Sequence, residues 1–174
     1  MSAVRLRSGG VPIGELFAFL SGLYFRGKLA YARAFTSPPS EAPGALVITP
    51  TRGLLDLDTL LTLDDMREFA EVNIASQSER FLEPLARDAQ ALAASSASAP
   101  AILLGSIATD KYVGTLAAAF GDRLFFPEAF VGRGDMSRGG LLLRSVRESA
   151  ELTYIAVSGA TRRGARPPKL VPIR

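Results

Sequence analysis

The chain has 174 residues, enough for one domain around one core, and its 48% hydrophobic content and mean hydropathy of +0.20 stand at the oily end of ordinary globular proteins. It contains neither cysteine nor histidine, which excludes disulfides, thiolate and imidazole metal sites, cysteine nucleophiles and the base of a hydrolytic triad. The net charge of +3 is segregated, with +4 over residues 1–35, −7 over 36–130 and +6 over 131–174, and arginine outnumbers lysine 17 to 3.

In chain order, residues 4–7 read as an edge strand ending at Gly9-Gly10. The longest oily stretch, 11–25, carries Glu15 and falls short of the roughly 20 residues of a membrane span; without a small-x-small cleavage site after it, the expectation is a cytoplasmic, bacterial-type protein with no membrane contact. Apolar residues at helical spacing predict one helix over 13–35. Ser21-Gly22 and Gly27 fall inside it, each glycine costing about 1 kcal/mol relative to alanine; the reading is that another backbone packs closely there, rather than that the helix breaks at Gly22. A strand follows over 45–49, then a loop and two helices between 58 and 94, the first capped by Thr62 with Asp65 and the second starting at Ser78. After a low-complexity loop, strands over 101–105, 123–126 and 152–157 alternate with helices over 110–120 and 137–148. The expected fold is an α/β three-layer sandwich, Rossmann-like, with a mostly parallel central sheet of four to five strands. Residues 1–158 form the single domain, and 159–174 a basic, proline-containing arm.

In such a sheet, ligands collect beyond the carboxyl ends of the strands. Gly9-Gly10, the Thr49–Gly53 stretch, 106–110 and 131–140 are expected to converge there. The last of these, "VGRGDMSRGG", has neither the P-loop order nor the full dinucleotide fingerprint, but its chemistry is legible. Gly132 and Gly134 allow a tight turn, Asp135 or Ser137 can cap the next helix, and Arg133 and Arg138 bring positive charge for phosphate. In "TPTRGLLDLDTLLTLDD", Asp56 and Asp58 are two apart and point the same way in an extended loop, suited to a base edge, a ribose or a hard cation. Arg52 is placed to pair with one of them. Thr49 and Ser106 close the expected ligand set, Ser106 having no histidine to make it a nucleophile. No metal ligand set and no cofactor is assigned, and catalysis is left open.

The order strand, "GLL-x-x-D", loop with a second aspartate, helices, strand and glycine-rich helix start, carried by Gly53, Leu54, Leu55, Asp58, Asp65, Gly132 and Gly134, resembles the uracil-DNA-glycosylase-like domain. That domain accompanies tRNA deazaguanine-modification enzymes such as archaeosine synthase and has small bacterial and phage relatives. The resemblance implies a three-layer α/β fold and a nucleobase or nucleic-acid role. Glycosylase chemistry is not implied, because the water-activating aspartate motif and the histidine motif are absent. The functional expectation is therefore binding of an anionic, nucleotide-like ligand or of nucleic acid, possible in modification or defence, with the basic arm adding non-specific affinity. The alternative is a non-catalytic interaction subunit, a homo-oligomer or part of a bacterial assembly, with apolar surface covered by neighbours.

Overall fold

The computed structural model describes residues 3–40, 42–96 and 98–170; residues 171–174 of the expected arm lie outside the described residues. The chain runs α1 (Ala3–Ser8), β1 (Val11–Pro12), α2 (Ile13–Leu20), α3 (Leu23–Phe35), β2 (Leu46–Ile48), β3 (Leu54–Asp56), β4 (Leu60–Leu61), α4 (Leu63–Ala70), α5 (Glu79–Ser95), β5 (Ala101–Ile102), α6 (Val113–Phe120), β6 (Leu124–Pro127), α7 (Asp135–Glu148) and β7 (Tyr154–Ala156). Among the described residues no helix is long and apolar enough to cross a membrane.

The expected central sheet is not formed. Strand and helix alternate strictly only over 101–156, and among the described residues the strands fall into three small sheets: an antiparallel β1–β4 pair, an antiparallel β2–β3 pair, and a three-stranded β5–β6–β7 sheet in which only β5 and β6 are parallel. The local causes are visible. After β2 the chain enters a five-residue turn in which Gly53 takes a left-handed φ of 63°. Residues 54–56 therefore return at once beside β2, with Val47 opposite Leu55, instead of crossing over to a parallel partner. At the other end of the chain, α7 packs on α3 and not back across the sheet. The chain re-enters at the end of β6 that it left, the Glu128 amide donating to the Thr153 carbonyl at 3.0 Å, and β7 has to run antiparallel.

Two other expectations are corrected. Residues 4–7 lie within α1 and are not an edge strand. The long helix is broken after Leu20: Gly22 adopts φ 66° and ψ −142°, a conformation open to glycine, while the Ser21 amide closes α2 on the Phe17 carbonyl at 2.8 Å. At Gly27 the close-packing reading holds. A Cβ there would come within 2.8 Å of the Gly139 carbonyl oxygen, and a Cβ at Gly139 within 2.8 Å of the Tyr24 Cα. Here α3 and α7 cross with backbone against backbone.

Two hydrophobic clusters result. The larger joins α3, α5, α6, α7 and the β5–β6–β7 sheet around Phe81, Leu85, Phe126, Phe130 and Leu142, all at most 1% exposed. The smaller joins α2, β1, β2, β4 and α4 around Val11, Ile13, Leu16, Val47, Leu61 and Phe69. Its α4 starts at the expected capping box, Thr62 with Asp65. Tyr31, 2% exposed, ties α3 to the far end of the sheet: its hydroxyl lies 2.6 Å from that of Tyr154, which in turn donates to Glu151 at 2.8 Å.

The crossing predicts opposite effects at two kinds of helical glycine. Alanine gains about 1 kcal/mol of helix propensity, yet at Gly27 or Gly139 it meets backbone that cannot yield, and overpacking of this sort costs about 1–3 kcal/mol. Urea unfolding of Gly27→Ala or Gly139→Ala will show a net loss of stability. Gly114→Ala in α6, where nothing lies within 4 Å of the added carbon, will show a gain of about 0.5–1 kcal/mol.

Candidate functional site

The only parallel strand pair among the described residues, β5 and β6, opens at its carboxyl end into two loops, 103–112 and 128–134. In the first, the Ser106 hydroxyl accepts from the Ala108 amide at 3.3 Å and the Ser106 carbonyl accepts from the Tyr112 hydroxyl at 3.1 Å. Gly105 permits this, since a Cβ there would stand 2.6 Å from that phenol oxygen. In the second, Gly132 turns at φ 72° and Gly134 precedes α7 as its N-cap without any side-chain cap. The expected capping by Asp135 or Ser137 is not observed. Asp135 is already the first helical residue and pairs with Arg138 at 3.4 Å, while the Ser137 hydroxyl accepts from Arg133 at 3.1 Å.

Both arginines of this stretch turn toward their own chain. Arg138 is 8% exposed. Its Nε and Nη2 donate to the Phe130 carbonyl at 3.3 and 3.2 Å, and its guanidinium lies over the Phe130 ring, 5.7 Å from the centroid. Arg133 donates to the Ala129 carbonyl at 2.9 Å and to the Pro168 carbonyl at 3.4 Å. The arm is thereby docked against the outside of this turn: a Cβ at Gly132 would run into the Ala165 carbonyl, and Arg162 pairs with Asp110.

The helix crossing brings a further cation here. Lys28 follows Gly27 just as Arg138 precedes Gly139, so apposing the two glycines draws the two charged neighbours together. The Lys28 ammonium lies 4.2 Å from the centre of the Tyr24 ring. No described residue gives it a hydrogen bond or ion pair. Burial lowers it from the ordinary 10.5 to about 8, with Asp135 opposing the shift and Arg138 adding to it. Burial likewise raises the phenols of Tyr24 and Tyr112; Tyr24 donates to the Leu104 carbonyl at 3.4 Å. The result is a half-buried basic centre formed by Lys28, Arg138, Tyr24 and Tyr112, with Asp135 at its edge.

The remaining expected ligand residues lie elsewhere. Thr49 is fully buried, its hydroxyl donating to the Gly53 carbonyl at 3.0 Å and accepting from the Arg52 amide at 3.1 Å. Arg52 does pair with acids, but with Asp65 at 2.6 Å and Glu68 at 2.5 Å, fastening the β2–β3 turn to α4. Hydrogen bonds from Thr62 and Arg52 hold the Asp65 carboxyl below the usual carboxylate range, and bonds from Arg52 and Thr51 do so for Glu68. Asp58 is exposed and faces Arg33 at 3.8 Å, while Asp56 accepts the Asp58 amide at 2.9 Å. These residues edge a shallow groove of about 260 Å³ with Thr36, Pro38 and Gly44. Arg33 lies nine residues beyond Tyr24 on α3, roughly 13 Å along the axis at 1.5 Å per residue. Asp58 and the arginine turn therefore lie toward opposite ends of that helix and do not share a cleft. Gly9-Gly10 leads into β1, which belongs to a different sheet from β5 and β6. Among the described residues no three acidic side chains are grouped to hold a metal ion.

No family model, no curated protein and no solved structure matches this chain. The sequence singled out Ser106 and the glycine-rich turn but not Lys28, Tyr24 and Tyr112. The available signal was a lysine one turn after a tyrosine in a helical segment, next to the glycine of the crossing.

The lowered Lys28 value has a consequence for stability. The unfolded chain holds this proton up to the ordinary lysine value, whereas the folded chain releases it near pH 8. From pH 8 toward 10 the unfolded state binds more protons, so stability rises. Above the ordinary tyrosine value of 10.0 the buried phenols reverse the trend, because unfolded tyrosines ionise first. Urea midpoints measured at pH 7.5 and 9.5 will rise in the native chain and will not rise in Lys28→Met.

Proposed function

We propose that the chain binds a small anionic ligand of nucleotide type, through its phosphate, at the carboxyl ends of β5 and β6. The observation that carries this reading is the half-buried Lys28 ammonium, set over the Tyr24 ring beside the inward-facing guanidinium of Arg138 and hydrogen-bonded to no described residue. Two cations brought together at a half-buried position share one exposed carboxylate, that of Asp135, and a phosphate would supply the further counter-charge. The start of α7 beside them has no side-chain cap, and the positive end of a helix favours the same kind of group. Asp58, Arg52 and Thr49 have no part in this site. Calorimetry with inorganic phosphate and with a nucleoside monophosphate at neutral pH tests the reading. Binding is expected, weakened tenfold or more in Lys28→Met, the scale of about 1.5–3 kcal/mol for a hydrogen bond to a charged group. Absent binding, or equal affinity in the variant, overturns it.

A second reading, an interaction subunit, rests on exposed apolar side chains. Phe19 and Leu20 are adjacent at the end of α2 and 64% and 56% exposed, and Met136 is 69% exposed. Large apolar groups grouped at a surface mark contact sites. Light scattering is expected to show an oligomer that dissociates in the Phe19→Ser, Leu20→Ser double variant; a monomer in the native chain removes this reading.

A further inference from the structure

We propose that the segment 162–169 is a second, separate binding surface, for the phosphodiester backbone of single-stranded nucleic acid. The segment reads "RRGARPPK", four bases in eight residues, and no acid follows Glu151 in the sequence. It is not a loose tail. Arg162 pairs with Asp110, and the Arg133 guanidinium donates to the Pro168 carbonyl. Gly164 lies so close to Val131 that a Cβ would stand 2.7 Å from its side chain, and Leu170 packs over Gly140. Apart from the Arg162 ion pair, these contacts use backbone and apolar atoms of the segment. Arg163, Arg166 and Lys169 are left exposed and paired with no described acid. Pro167-Pro168 hold the backbone extended, because each proline fixes its own φ and disfavours the helical region in the residue before it. Positions 163, 166 and 169 are three residues apart, the period at which an extended chain of about three residues per turn returns to one edge. Cations at every third residue of a docked backbone suit a polymer of phosphates. Two of the three are arginines, whose planar fork matches phosphate oxygens. A lipid surface fits less well, because membrane-lying segments insert apolar side chains and here Leu170 faces the protein body.

The test is fluorescence anisotropy of the full chain with a labelled single strand of about 12 nucleotides, within the usual range of single-strand site sizes, across a salt series. The expected slope of log affinity against log salt is about −2, from three contacts at roughly −0.7 each. The triple variant Arg163→Gln, Arg166→Gln, Lys169→Gln is expected to lose at least tenfold in affinity at low salt, while keeping the native melting temperature. Lys28→Met is expected to bind the strand as the native chain does, which separates this surface from the phosphate site at α3. Salt-independent binding, or unchanged affinity in the triple variant, overturns the proposal. So does sedimentation with vesicles of anionic lipid in the absence of any binding to the strand.

Discussion

Gly27 and Gly139 allow α3 and α7 to approach until their backbones touch, and much of the larger core takes its arrangement from that approach. Helices carrying ordinary side chains at the contact stand 8–10 Å apart; here neither helix has one at the crossing point. Drawn onto α3, α7 does not carry the chain back across the sheet, and β7 runs antiparallel beside β6. The same approach places Lys28 beside Arg138. The geometry of the fold and the electrostatics of the candidate site have a common origin in two missing side chains.

Four arginines of this chain work as internal clamps. Arg123 donates to the carbonyls of Ala93, Ser96 and Ala99, closing the end of α5. Arg138 and Arg133 hold the 3-10 turn before α7, and Arg52 joins the β2–β3 turn to α4. A guanidinium with five fixed donors is suited to gathering several carbonyls at once. This accounts for part of the excess of arginine over lysine without any ligand, and it leaves Lys28 as the cation of the glycine crossing that no described residue hydrogen-bonds, its charge facing the Tyr24 ring.

What could be read from the sequence was what depends on neighbours along the chain. The apolar runs at 45–49, 101–105 and 152–157 each contain a strand and that at 123–126 overlaps one, the Thr62 and Asp65 cap starts α4, and the helices around 79–95, 113–120 and 135–148 follow their periodicity. How strands pair was not legible, because an apolar run of four residues is the same whether its neighbour is parallel or antiparallel. The deciding residues were single glycines: Gly53 turns β2 into a hairpin, and Gly22 breaks the predicted long helix. The Lys28 site was hidden for a related reason. Its members come from three stretches more than 80 residues apart at the extremes, and only the crossing of α3 and α7 unites them. The glycine-rich turn was conspicuous by composition, although its arginines face inward.

The separation of the two apolar clusters has a bearing on how the molecule comes apart. The smaller one buries six side chains, among them those of α2, β1, β4 and α4, against fifteen in the larger. Fewer buried contacts mean a lower free energy of local opening. Amide exchange in the segment around Val11–Leu20 and Leu60–Ala70 is therefore governed by partial unfolding that leaves the α3–α7 pair and its basic centre intact, so this region can loosen without dismantling the other.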